Sequence, residues 1–135
     1  MKNIVLGIGH TGYNTPQMDK MLDFYCGKLG FKHAFSIKND AGEPWIEYIK
    51  LADNSFIEFF YADGKLDNDN RYAHLCIRVS DIHALADHLK ANDVPIIWGG
   101  PSMGKDKNWQ CWCEDPDGNK IEFMYISPES PQATA

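Results

Sequence analysis

The chain has 135 residues and a mass of 15.3 kDa, enough for one domain or two very small ones, and 44% apolar residues supply a packed core. Thirteen Lys and Arg against nineteen Asp and Glu give a net charge of −6, which argues against nucleic acid or an anionic membrane as the main partner, because both reward a basic surface. No apolar run approaches the roughly 18–20 residues that span a bilayer, the apolar stretch in the opening MKNIVLGIGH is too short for a secretory signal, and four cysteines without C-x-x-C do not suggest a disulfide scaffold, so the expectation is a cytoplasmic protein.

From the N-terminus, the β-branched and apolar run Ile4 to His10 predicts a strand. Thr15-Pro16 reads as an N-cap and first helical position, and Met18, Met21, Leu22, Tyr25 and Leu29 follow at helical spacing until Gly30 closes the helix. Phe31 to Ile37, Trp45 to Leu51 and Phe56 to Tyr61 read as strands, separated by the turn segments 39–42 and 52–55. The polar stretch ADGKLDNDN (62–70) reads as a linker. Tyr72 to Val79 is then a strand, and Ser80 caps a helix with Ile82, Leu85, Ala86 and Leu89 on one face. Pro95 to Trp98 is a short strand, and Trp109 to Glu114 and Asn119 to Ile126 form a hairpin around 115–118. The tail PESPQATA after Ser127 is expected to fray.

The two halves are copies of one β-α-β-β-β unit. Shifting the sequence by 64 gives eight identities, among them His10/His74, Trp45/Trp109, Ile57/Ile121, Glu58/Glu122 and Phe59/Phe123. The expected fold is α+β: one domain of two tandem βαβββ modules forming a curved mixed sheet around a concave site. Module one spans about 4–61, module two about 71–126, and the tail 127–135.

Strand parity aims four ligands into that concavity. Residues i, i+2 and i+4 of a strand share a face. Ile57, Phe59 and Tyr61, like Ile121, Phe123 and Tyr125, form the apolar face that packs on a helix, so Glu58, Phe60, Glu122 and Met124 point the other way. The same parity puts His10, Gly12 and Asn14, and His74, Cys76 and Arg78, on the concave side. Each copy thus sends one His and one Glu, 48 residues apart, to the same side. Carboxylates partly buried there need a cation, and two His with two Glu suit Zn, Ni, Co or Mn better than Ca or Mg. The bland alternatives are a hydrogen-bonded strand histidine and a rim glutamate. His33, His83 and His88 have no counterpart in the repeat. Phe60, Met124 and Arg78 are expected to line the substrate site, Arg78 as a binder of carboxylate or phosphate or as a partner of the glutamates. The glycine-rich loop 99–108 could form a lid with Lys105 as its cation, or be a plain solvated loop. At least two of Trp45, Trp98, Trp109 and Trp112 are expected in the core, and any lining the concavity would favour a flat substrate. Cys111 and Cys113 share a strand face and read as buried free thiols.

The pattern H-x13-FY-x3-LGF, from His10 through Phe24-Tyr25 to Leu29-Gly30-Phe31, and the run EDPDGNKIE (114–122) resemble the vicinal oxygen chelate superfamily. That superfamily includes glyoxalase I, bleomycin-resistance proteins, extradiol dioxygenases and fosfomycin-resistance enzymes, and the resemblance covers about residues 4–126. The His/Glu/His/Glu quartet is most similar to that of glyoxalase I. The resemblance implies that His10, Glu58, His74 and Glu122 hold one divalent metal and that the substrate is a hemithioacetal or other α-hydroxycarbonyl. It makes Glu122 the base that moves a proton between adjacent carbons, with Glu58 assisting. It also implies a homodimer, with the site closed within one chain or shared between two. Asn14 stands where glyoxalase I usually carries a glutathione-contacting arginine, a departure that bears on glutathione use. Two other functions stand beside the lyase or isomerase: a metal-free small-molecule-binding module of the bleomycin-resistance kind, which needs no quartet, and a ring-cleaving dioxygenase, whose site uses two His and one carboxylate.

Overall fold

Two sets of residues pack as separate units: residues 10–73 with Ala135, and residues 1–9 with 74–134. The computed structural model describes residues 1, 3–28, 30–64, 71–114 and 118–135. Leu29 of the predicted helix, most of the linker, and residues 115–117 of the hairpin turn lie outside the described residues. The predicted strands form as β1 (Val5–Thr15), β2 (Lys32–Lys38), β3 (Pro44–Ala52), β4 (Ser55–Tyr61), β5 (Tyr72–Val79), β6 (Ile97–Met103), β7 (Trp109–Glu114) and β8 (Lys120–Tyr125). With α1 (Met18–Leu22), α2 (Ile82–Ala91) and α3 (Pro131–Thr134), they make an α+β fold of two βαβββ repeats.

In the unit of residues 10–73 the strand order is β2-β3-β4-β1, with β1 parallel to β4 and β3 antiparallel to β2 and to β4. β1 runs on to Thr15 because Gly12, Asn14 and Thr15 pair with Glu58, Phe60 and Tyr61. Thr15 is therefore a strand residue rather than a helix cap, although its Oγ1 still accepts a hydrogen bond from the Gln17 N–H at 3.1 Å. α1 begins without a side-chain cap and continues as a π-helical turn over Asp23–Lys28. Its apolar face, Met18, Met21, Leu22 and Tyr25, packs on Ile49, Ile57 and Phe59. A second cluster, Ile46, Tyr48 and Phe56 with Phe35 and Phe60, covers the opposite face of the sheet. Burial on both faces explains why FIEFFY is nearly continuous in apolar residues rather than alternating.

In the unit of residues 1–9 and 74–134 the order is β5-β8-β7-β6, again with the first strand parallel to the last and the others antiparallel. Asp81, not Ser80, caps α2: its Oδ1 accepts from the backbone N–H groups of His83 and Ala84. Ile82, Leu85, Ala86 and Leu89 bury themselves against Val79, Cys111, Cys113 and Phe123. Cys111 and Cys113 carry no disulfide, and burial pushes the Cys111 thiol up. Of the four tryptophans only Trp109 reaches this core, short of the two expected; Trp45 and Trp98 are exposed.

Two segments are better ordered than the sequence suggested. The 99–108 segment is not a plain loop. β6 runs through Met103, and a tight turn follows in which the Gly104 N–H donates to the Asn108 carbonyl at 2.8 Å. The tail does not fray: Ser130 and Gln132 are buried. Gln132 Nε2 donates to Asp106 Oδ2 at 2.9 Å, and the Ser127 N–H donates to Asn108 Oδ1 at 2.9 Å. These hydrogen bonds among buried polar groups let a polar tail fold down without an apolar stripe, although Gln132 Oε1 is left without a partner among the described residues. Among the described residues no helix is long and apolar enough to cross a membrane.

Candidate metal centre

Each unit carries one buried imidazole–carboxylate pair, built the same way. In residues 10–73, His10 comes from β1 and Glu58 from β4, strands whose parallel register sets Gly12 beside Glu58. His10 Nε2 lies 3.2 Å from Glu58 Oε2. In the other unit, His74 comes from β5 and Glu122 from β8, with Cys76 beside Glu122 in the register, and His74 Nε2 lies 3.2 Å from Glu122 Oε2. All four residues are at most 4% exposed. A shift of two positions along parallel strands thus turns a repeated His and a repeated Glu into a repeated contact.

The donor set fits a divalent cation. Two donors on one ion, each about 2.0–2.2 Å from it and about 90–109° apart, stand about 2.8–3.6 Å from each other. The 3.2 Å separation in each pair falls inside that range. A neutral imidazole and a carboxylate also form the mixed nitrogen and oxygen set that such ions accept.

An aromatic residue flanks each pair. Tyr48, on β3, lies opposite Glu58 in the antiparallel register; its hydroxyl donates to Glu58 Oε1, and its ring meets that of His10 edge-on at 5.9 Å. Trp112, on β7, lies opposite Glu122, and its ring meets His74 edge-on at 4.9 Å. Positions 48 and 112 are again 64 apart. Counting identities alone hid this pair; scoring aromatic against aromatic at the repeat offset would have found it. The two environments differ: the tyrosine bonds its glutamate, whereas the Trp112 indole N–H donates to Gln110 Oε1 at 3.1 Å.

The remaining predicted site residues are spread through the units. Asn14 lines a cavity of about 480 Å³ together with Tyr13, Tyr25 and Arg71, and its backbone N–H donates to the Arg71 carbonyl at 2.8 Å. Phe60 packs in the aromatic cluster with Tyr48 and meets Trp45 edge-on at 6.1 Å. Arg78 lies along the start of β1: its Nε donates to the Ile8 carbonyl at 3.3 Å, and a Cβ at Gly9 would stand 2.9 Å from its Cγ. Met124 is buried, with Gln132 Nε2 at 4.0 Å from its sulfur. Lys105 is exposed on the 104–108 turn.

Two further groups escaped the sequence reading. Asp106, buried beneath that turn, accepts from Asn108 Nδ2 at 2.8 Å and from Gln132. Burial raises its carboxyl above the ordinary range, the Glu122 charge adds to the rise, and the hydrogen bonds from Gln132 and Asn108 oppose it. His33 does have a partner: its Nε2 lies 2.7 Å from Glu47 Oε2, and Glu47 also accepts from Ser36 and Tyr61.

The fold is a duplicated βαβββ unit with the same buried His–Glu contact in each repeat. The chain belongs to the Glyoxalase/Bleomycin resistance protein/Dioxygenase superfamily, whose family model matches residues 7–123. It is 29% identical over 123 residues to a probable lactoylglutathione lyase of Synechocystis sp., covering 87% of this chain and 94% of that protein. It is likewise 29% identical over 132 residues to a probable lactoylglutathione lyase of Vibrio parahaemolyticus, covering 93% and 92%. Among solved structures, methylmalonyl-CoA epimerase from Mycobacterium tuberculosis superimposes with a TM-score of 0.77 at 20% identity, over 100% of this chain and 96% of that one. The two lyases and the epimerase are enzymes; the structural likeness, at that identity, speaks for the fold.

Proposed function

We propose that this chain is a metal-dependent lyase or isomerase of the glyoxalase I kind, moving a proton between adjacent carbons of a hemithioacetal or related α-hydroxycarbonyl. The observation that carries the reading is the repetition, 64 residues apart, of a buried His–Glu contact with the same 3.2 Å separation. His10, Glu58, His74 and Glu122 would hold one divalent ion, of Zn, Ni, Co or Mn, in a single-domain chain that works as a homodimer. When bound, the ion supplies Lewis-acid stabilisation of the negative charge that develops on the substrate's vicinal oxygens.

The chain's own groups do the rest. Glu122 takes the proton from one carbon and returns it to the next, a role suited to a carboxylate in a nearly dry site. Glu58, hydrogen-bonded by Tyr48, assists from its own unit. Asn14, Phe60 and Lys105 are the proposed substrate contacts. Arg78, whose Nε donates to the Ile8 carbonyl, and the buried Met124 are proposed substrate contacts as well. The lyase names of the relatives support this reading, while Asn14 leaves the choice of thiol to experiment.

The test is elemental analysis of the purified protein and of Glu122→Gln, followed by turnover on hemithioacetals formed from a 2-oxoaldehyde and either glutathione or another thiol. About one divalent ion per chain is expected in the wild type, with turnover lost in the variant. Full turnover by Glu122→Gln removes it as the base. A wild type that stays metal-free after reconstitution favours the binding-module reading instead.

A further inference from the structure

The aromatic residues beside His74 reach further than proton transfer requires. Trp112 meets His74 edge-on at 4.9 Å. Trp98 meets Trp112 in turn, with ring centroids 5.2 Å apart and planes at 60°. A run of rings therefore leads from a buried imidazole to an indole that is 70% exposed. Burial of such a large apolar ring is the default for a side chain whose only role is packing. Here the backbone holds it outward, at a φ of +57°, in the left-handed region that bulky residues rarely adopt. Lys120 stands with its Nζ 5.5 Å from the Trp98 ring and pairs with Glu114, so a cation steadies the ring without covering most of it. The Trp112 N–H is engaged by Gln110, which sets that ring's orientation before any ligand arrives.

We propose that Trp98 and Trp112 form a stacking subsite for a planar, conjugated group of the substrate, beside the carbons that Glu122 serves. The substrate class this selects is an α-hydroxycarbonyl or hemithioacetal carrying an aryl or similarly flat substituent, rather than a methyl group. Indole rings bind such groups in offset or edge-on geometry, and two rings already fixed in place lose little freedom on binding. A small molecule, rather than a partner protein, fits because the run of rings ends on His74. The inference rests on the metal-dependent reading of His74 and Glu122.

Benzohydroxamate and acetohydroxamate test it. Both present the same two vicinal oxygens to a metal and differ in phenyl against methyl. Metal content is measured first, and each compound is then titrated by calorimetry and by tryptophan fluorescence. The metal-loaded wild type is expected to bind benzohydroxamate about tenfold or more tighter than acetohydroxamate, with quenching. In Trp98→Ala the ratio should fall to about threefold or less, and Trp98→Phe should restore most of it. Circular dichroism and size-exclusion chromatography check fold and assembly. Equal wild-type affinities with metal bound overturn the subsite and leave the metal reading standing, whatever the variants do. An unchanged ratio in Trp98→Ala also overturns it, and a simultaneous change in oligomeric state would assign Trp98 to a contact between chains. A wild type that takes up no metal overturns both readings.

Discussion

The two glutamates are alike in sequence and unlike in surroundings. Tyr48 donates to Glu58 from a buried position, and a hydrogen bond to a charged group is worth about 1.5–3 kcal/mol. Partners of metal-binding carboxylates typically change metal affinity by about 10–100-fold. Tyr48→Phe is therefore expected to weaken divalent-ion binding at least about tenfold, measured by competition with a chromophoric chelator. Asp106 offers a pH signature. Its carboxyl is held above the ordinary range, chiefly by burial. The native state therefore holds this proton at pH values where the unfolded chain has lost it. Its contribution to stability is full below the ordinary aspartate range and disappears as pH rises through the elevated native value. The wild type should gain stability relative to Asp106→Asn as pH falls across that window, read from urea unfolding at a series of pH values. A wild type that loses stability relative to the variant on acidification would contradict the assignment.

At the scale of elements, α2 was legible because its apolar positions recur at helical spacing and Leu85 sits at the centre of the buried face. Leu85→Ala should cost about 2–5 kcal/mol, seen as a lower urea midpoint with an unchanged slope. Strand identities were legible for a similar reason: alternation and β-branching survive in a single sequence. The ends of elements were not. Thr15 has the chemistry of a cap, yet parallel pairing with Tyr61 draws it into β1; Ser80 and Asp81 are both good caps, and only the geometry of α2 selects Asp81. The tail gave no signal, because Ser130 and Gln132 are buried by hydrogen bonds rather than by an apolar stripe. Gln132→Ala, which leaves Asp106 short of a donor, is expected to cost about 1–3 kcal/mol and to raise proteolytic cleavage near the C-terminus. In the candidate centre the residues of the two His–Glu contacts were readable from one repeat offset, whereas Tyr48 and Trp112 were not, since a count of identities passes over a tyrosine set against a tryptophan.

For the molecule as a whole, a bound ion would act as a cross-link that the unfolded chain lacks. At free metal about 100 times the dissociation constant, the native state gains about 2.7 kcal/mol. For a chain of this length that corresponds to a melting temperature on the order of 8 °C higher. Chelation should remove that increment from the wild type and have little effect on His10→Ala or His74→Ala, as followed by calorimetry. A chelator response equal in all three proteins would dissociate the ion from these ligands.

The chain passes from one unit to the other inside β1, between residues 9 and 10, and back again inside β5, between residues 73 and 74. A polypeptide nicked between 62 and 70 would therefore yield an amino-terminal fragment that still owns an arm belonging to its neighbour's core, where Ile4 packs with the α2 cluster. Such fragments should co-purify and melt together. A gene split at the repeat junction would then make a bimolecular reporter, whose reassembly depends on threading five residues of strand into a partner polypeptide.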